Sequence, residues 1–131
     1  MARIKAFLDT SVLIGKVLKI SEDAEKVFND PYIEKYTNEY ALKELYHVPK
    51  NSFNFSETNI GYAIDYIRES CVVLPAPKKE EFKNIKLQDK SDRPIVYSAY
   101  SNNLVLFIDD ERTYQDAKKY VNVRRICRDK K

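Results

Sequence analysis

Residues 104–108, LVLFI, are the most apolar run in the chain, and they stop abruptly at an acidic pair, Asp109-Asp110. Successive side chains of a strand point to opposite faces, so an unbroken apolar run suits a strand covered on both sides. That is the position of a central strand in a parallel sheet with helices on each face. A second apolar run, residues 4–8 (IKAFL), stops in the same way at Asp9.

The rest of the chain alternates between strand-like and helix-like segments. After a polar turn at Asp9-Thr10-Ser11, Val12, Leu13, Ile14, Val17, Leu18 and Ile20 continue as a helix. Ser21 can cap the next one, with Ala24, Val27 and Phe28 on one face until Pro31. Residues 32–37 suit a strand, and Asn38 can cap a helix carrying Tyr40, Ala41, Leu45 and Val48 as far as Pro49, which places Glu44 within it. Residues 51–55 read as a loop, and Ser56 caps a helix with Ile60, Ala63, Ile64 and Ile67 inward. A strand over 71–74 precedes Pro75 and Pro77. A short helix over 78–85 buries Phe82 and Ile85, and 89–91 form a turn. Asp92-Arg93-Pro94 opens a helix with Ile95, Ala99 and Tyr100 inward, which Asn102 and Asn103 stop. A helix over 113–120 and a fifth strand over 121–126 complete the pattern. With only 2 Gly and no Asn-Gly or Asp-Gly hairpin signal, this alternation predicts an α/β fold with a parallel sheet.

At 131 residues and 44% hydrophobic content the chain suits one domain, residues 1–131, with one core. The N-terminus lacks signal-peptide character and no segment approaches a membrane span, so a soluble, cytoplasmic protein is expected. Cys71 and Cys127 have no metal-ligand spacing and His47 is the single histidine, which leaves a zinc site short of ligands. Buried free thiols are the expectation. A net charge of +3 permits nucleic-acid contact without demanding it.

The candidate site follows from where the acids fall. Ligands of an open parallel sheet bind outside the carboxyl ends of the strands, where the strand order reverses. Asp9 and Asp109-Asp110 end two apolar strands, so adjacent placement of those strands brings their carboxylates to one edge. A crossover helix begins near that edge, which adds Asp92, and Glu44 can reach inward from its helix. Taken singly, Asp9 and Asp92 also fit helix caps, Glu44 a surface acid and Asp109-Asp110 the start of a loop. Crowded carboxylates repel one another, so a cluster requires partial protonation or a bound cation. Oxygen donors without Cys or His favour Mg²⁺ or Mn²⁺ over zinc or copper, and such ions serve phosphodiester hydrolysis.

These motifs, in this order, resemble the PIN-domain nucleases, and especially the toxin ribonucleases of the virulence-associated protein C type. FLDTSVLI is similar to the family's strand ending in Asp, placing Asp9 and Ser11. YTNEYALKEL resembles the helix bearing its Glu, placing Glu44 ahead of Glu39. DRPIVYSAYSNNLVLFIDDERTY resembles the helix led by the third Asp and the strand ending in the fourth, placing Asp92 and Asp110. Two positions depart: Ile108 stands where a Thr commonly precedes the fourth Asp by two residues, which leaves open whether Asp109 or Asp110 is that acid, and Pro94 after Asp92 is less usual.

The resemblance implies a three-layer α/β/α sandwich with a five-stranded parallel sheet of order 3-2-1-4-5. Cys71 and Cys127 would then lie on opposite edge strands, too far apart for a disulfide. It also implies Mg²⁺ or Mn²⁺, cleavage of single-stranded RNA with Asp9, Glu44, Asp92 and Asp110 as catalytic acids, metal held by Asp9, Asp92, Asp110 and Asp109, a homodimer, and often an antitoxin protein partner. Ser11, Arg93, Lys43 and Arg112 are candidate substrate contacts beside the acids, as is Lys90; Tyr40 and Tyr46 could stack on bases or pack in the core. The basic tail, Arg124-Arg125 with Arg128, Lys130 and Lys131, could track a backbone or be a solvated C-terminus. Three other readings compete. One is an RNA-processing nuclease that is no toxin, and another a degenerate module that binds RNA or protein without cleaving. The third, a receiver-like phosphoacceptor domain, lacks a late strand-end Lys and has its acidic pair in the wrong half.

Overall fold

A computed structural model describes residues 3–52 and 56–126, with side chains omitted for 48–52 and 57. Five parallel strands form one sheet: β1 (Ile4–Leu8), β2 (Ile33–Asn38), β3 (Val72–Leu74), β4 (Val105–Ile108) and β5 (Val123–Arg125), in the order β3-β2-β1-β4-β5. Among the described residues seven α-helices connect them, α1 (Thr10–Val17), α2 (Glu22–Asn29), α3 (Glu39–Ser52), α4 (Glu57–Ser70), α5 (Lys79–Phe82), α6 (Arg93–Ser101) and α7 (Glu111–Ala117), with a turn of 3-10 helix at Lys90–Asp92 leading into α6. The path from β1 through β2 to β3 crosses the sheet one way, and the path from β3 through β4 to β5 crosses it the other way. Right-handed crossovers put the helices of the two paths on opposite faces, which gives three layers. Among the described residues no helix is long and apolar enough to cross a membrane.

The apolar run LVLFI is central, as its composition implies. β4 lies between β1 and β5, and Leu106, Phe107 and Ile108 are all buried although successive residues face opposite sides. Leu106 is completely buried. Leu106→Ala is expected to lower unfolding free energy by about 3 kcal/mol, through lost transfer energy plus a cavity. Urea denaturation measures this; a loss below about 1 kcal/mol would contradict a central β4.

The caps behave as the sequence implies. The side chains of Ser21 and Ser56 accept from the backbone N–H groups of Ala24 and Asn59, and Asn38 Oδ1 accepts from Ala41 N at 2.8 Å. Asn103 takes a left-handed φ of 55° just after α6, the conformation in which Asn ends helices. Gly15 is required for close approach, since a Cβ there would come within 3.0 Å of Ser21 Cβ and press α2 away from α1.

Several boundaries move. α3 continues past Pro49 to Ser52, so Asn51 and Ser52, expected in a loop, are helical; the fixed φ of proline is itself helical, and near a helix end it removes just one backbone bond. Residues 53–55, the remainder of that expected loop, lie outside the described residues. α7 begins at Glu111, because Asp110 supplies the cap, and it ends at Ala117 short of Tyr120. Tyr100 is exposed, contrary to expectation. Ile95, Val96 and Ala99 make the buried face of α6, and Tyr100 lies one residue, about 100°, beyond Ala99. Cys71 is a buried free thiol that closes α4 before β3 begins, with its pKa pushed by burial to about 11. Cys127 and the tail residues Arg128, Lys130 and Lys131 lie outside the described residues.

Candidate active site

The strand order reverses between β1 and β4, and both strands end in acids there. Leu8 pairs with Phe107, and Asp9 N–H donates to the Phe107 carbonyl at 3.2 Å, so the two chains separate just beyond this point. Asp9 is 8% exposed. Its Oδ1 accepts from Ser11 Oγ at 2.5 Å and from Val12 N at 3.0 Å, so the carboxylate caps α1 while lying at the sheet edge. Burial pushes its pKa to about 8 against the pull of those two donors, and Asp109 and Asp92 add repulsion. An ionised Asp9 is therefore a costly buried charge without a cation beside it.

Glu44 comes from α3. That helix is fixed by Asn38, a buried side chain whose Nδ2 donates to Ser98 Oγ at 2.8 Å and to the Pro94 carbonyl at 3.3 Å, both on α6. Thr37 Oγ1 donates to the Leu8 carbonyl at 3.1 Å, holding the end of β2 to the end of β1. With its helix so placed, half-buried Glu44 accepts from Thr10 Oγ1 at 2.6 Å through Oε1. Its pKa is raised, chiefly by burial, with Asp92 and Asp89 contributing.

Asp92 sits at the head of α6 without using its side chain as a cap. Its Oδ2 instead accepts from Thr113 Oγ1 at 2.7 Å, and its pKa is raised first by burial and then by Asp89 and Asp110. Asp110 caps α7 through Oδ1, which accepts from Arg112 N at 3.1 Å, and its Oδ2 lies 3.0 Å from the same Thr113 hydroxyl.

Asp9, Glu44, Asp92 and Asp110 thus share one cleft of about 240 Å³, joined by Asp89 and by the hydroxyl residues Thr10, Ser11, Ser91 and Thr113. Among the described residues no lysine or arginine lines it. A larger concavity, about 420 Å³, opens at the far ends of α6 and α7 and holds Lys118, Lys119, Tyr100 and Tyr120 but no carboxylate. The carboxylates are therefore gathered in the smaller cleft. Between the two acids at the end of β4, Asp110 lines it, while half-buried Asp109 acts on Asp9 through its charge.

The basic candidates lie elsewhere. Lys43 lines a groove with Glu39, Tyr46 and Arg68 between α3 and α4. The Arg93 guanidinium lies over the Phe82 ring, 5.4 Å from its centre. Arg112 is close enough to Asp89 to help lower its pKa, behind the hydrogen bonds from Ser91. Tyr40 donates to the Ser91 carbonyl at 2.7 Å, and Tyr46 meets His47 edge-on. Exposed Lys90 presents its carbonyl to Arg93 Nε. Sequence reasoning missed Asp89, Ser91, Thr10 and Thr113 as lining residues; Asp89 and Ser91 read as a turn, and no periodicity marks a hydroxyl that reaches another element.

Among the described residues no three His, Cys, Asp or Glu side chains form a ready-made metal cage. A hexahydrate-preferring ion such as Mg²⁺ needs no such cage, because it binds through one or two carboxylates and keeps several waters. The all-oxygen donor set, the absence of lysine and arginine in the cleft and the buried Asp9 fit such a cation.

No protein-family model matches the chain, and no curated protein matches it by sequence. Solved structures match it by shape. The DNA-bound VapBC of Salmonella typhimurium contains a chain similar at a TM-score of 0.73 with 16% identity, covering 95% of this chain and 99% of that one. VapBC2 of Rickettsia felis, bound to a DNA fragment from their promoter, matches at 0.69 with 12% identity, covering 93% and 98%. VapBC-5 of Mycobacterium tuberculosis, a member of the VapBC family of toxin-antitoxin systems, matches at 0.62 with 16% identity, covering 94% and 98%. At such identities the shared property is the fold. With its five strands in the order 3-2-1-4-5 and helices on both faces, the chain has a PIN-like α/β fold and resembles the toxin-type PIN-domain structures over nearly its whole length.

Proposed function

We propose that this chain is a metal-dependent endoribonuclease that hydrolyses phosphodiester bonds of single-stranded RNA in the carboxylate cleft, acting as the toxin of a toxin-antitoxin pair. The observation that carries the reading is the convergence of Asp9, Glu44, Asp92 and Asp110, from four separate elements, on the edge where the strand order reverses. A cleft lined by acids and hydroxyls repels a phosphodiester until cations neutralise it, so RNA binding there would depend on a cation.

Mg²⁺ or Mn²⁺, when bound, supplies a water made acidic enough to attack phosphorus and positive charge for the departing oxygen. Asp9, Asp92 and Asp110 are the candidates that would hold it, one or two of them as direct ligands, with Asp109 adding negative charge behind Asp9. Ser11 and Val12 fix the Asp9 carboxylate by donating to Oδ1. Glu44, held by Thr10 through Oε1 and with its proton bound more tightly than in water, is suited to take a proton from the attacking water. Ser11, Lys43, Arg93 and Arg112 are proposed as RNA contacts, of which Ser11 lines the cleft. The likeness to a chain from a toxin-antitoxin structure supports an antitoxin partner, and the family resemblance of the sequence motifs supports a homodimer and a cytoplasmic setting.

Purified protein incubated with labelled single-stranded RNA is expected to cleave it in Mg²⁺ or Mn²⁺, with a rate at least about 100-fold lower in excess EDTA. Equal cleavage with and without EDTA would overturn the metal mechanism. Intact RNA under every condition, with total cellular RNA as well as short oligomers, would overturn the nuclease reading.

A further inference from the structure

The hydroxyls that hold the acids differ in reach. Ser11 serves Asp9 within one turn of chain, and Thr10 serves Glu44 across 34 residues. Thr113 alone meets two acids at once: its Oγ1 lies 2.7 Å from Asp92 Oδ2, 21 residues away on α6, and 3.0 Å from Asp110 Oδ2 on its own helix. A hydroxyl has one proton and two lone pairs. One hydroxyl therefore ties two carboxylates from two different helices to a single point.

Thr113 is 5% exposed, so no bulk water replaces its hydroxyl. A capped α7 does not need the bridge, because Asp110 Oδ1 already caps through Arg112 N. The link to Asp92 is also the described side-chain bond that joins the head of α6 to the head of α7, since Asp92 makes no cap of its own.

We infer that Thr113 is a positioning residue of the cleft, whose hydroxyl fixes Asp92 and Asp110 relative to each other for the binding of a divalent cation. This rests on the nuclease reading above and assigns the task of spacing its two late acids to a residue outside the acidic set.

The test compares Thr113→Val, which keeps the branched shape and removes the hydroxyl, with Thr113→Ser, which keeps the hydroxyl. Mn²⁺ binding is followed by electron paramagnetic resonance of the free ion, and RNA cleavage by kcat and KM, with thermal midpoints confirming that both variants fold. For Thr113→Val, Mn²⁺ affinity and kcat are expected to fall by about 10- to 100-fold, the range seen when a partner of a metal ligand is lost, with KM nearly unchanged. Thr113→Ser is expected to stay within about 3-fold of wild type in both readouts. A folded Thr113→Val with wild-type Mn²⁺ affinity and kcat overturns the inference and leaves the nuclease reading standing. Equal losses in the Val and Ser variants overturn it too, because packing rather than the hydroxyl would then be responsible. Wild-type protein that neither binds Mn²⁺ nor cleaves RNA overturns the nuclease reading, and the inference falls with it.

Discussion

Asp9→Asn is expected to reduce metal-dependent RNA cleavage by about two to three orders of magnitude while leaving the fold in place. The amide is nearly the same shape as the carboxyl, and its carbonyl oxygen can still accept from Ser11 Oγ and Val12 N, so the cap of α1 is retained. What disappears is negative charge at the most enclosed acid of the cleft, where a cation would be held with least competition from water. The effect should appear in kcat more than in KM, since Asp9 is the most enclosed acid of the cleft and no RNA contact is assigned to it. Single-turnover cleavage at saturating Mn²⁺ measures the loss, and circular dichroism checks the fold. Cleavage within about 3-fold of wild type would remove Asp9 from the catalytic acids and, with it, the main support for the proposed chemistry.

The acids were legible in the sequence because strand ends are. An apolar run that stops at an acid carries both the strand and the position of the carboxylate, and this holds for Asp9 after IKAFL and for the Asp109-Asp110 pair after LVLFI, though not for which of the pair lines the cleft. Asp92 was legible through Pro94, which marks a helix start, and Glu44 through the cap at Asn38. Directions around a helix axis were less legible. Lys43 is adjacent to Glu44 in sequence yet faces the groove with Arg68, and Arg93 is adjacent to Asp92 yet covers Phe82. One residue along a helix is a turn of about 100°, so proximity in sequence to a site residue says little about facing the site. Tyr100 follows the same rule. Cross-element hydrogen bonds were not legible at all: the pairing of Thr113 with Asp92 and of Asn38 with Ser98 depends on how α3, α6 and α7 are packed, and neither residue belongs to a spaced pattern.

The buried carboxylates of the cleft should destabilise the metal-free protein as pH rises. Asp9 has a folded pKa of about 8 against 3.8 for the ordinary group, and Glu44 and Asp92 are shifted in the same direction, all chiefly by burial. An acid whose pKa is raised on folding keeps its proton in the native chain where the unfolded chain has released it. Its stability contribution is therefore complete below about pH 4 and is lost progressively as pH climbs towards about 8, by at most about 1.4 kcal/mol per pH unit for Asp9 alone. Glu39, held low by its hydrogen bonds from Arg68, and Asp89, held low by those from Ser91, act in the opposite sense, but only as pH falls below about 4 to 5. In EDTA the thermal midpoint is accordingly expected to fall between pH 5 and pH 8, and Asp9→Asn to flatten that slope and melt higher than wild type at pH 8. Adding Mn²⁺ at pH 8 should restore wild type, by about 2.7 kcal/mol at 100 times the dissociation constant, and should do little for the variant. A metal-free midpoint that is flat or rises from pH 5 to pH 8 would mean that Asp9 is already ionised and compensated by protein groups, and the cleft would then have no electrostatic need for a cation.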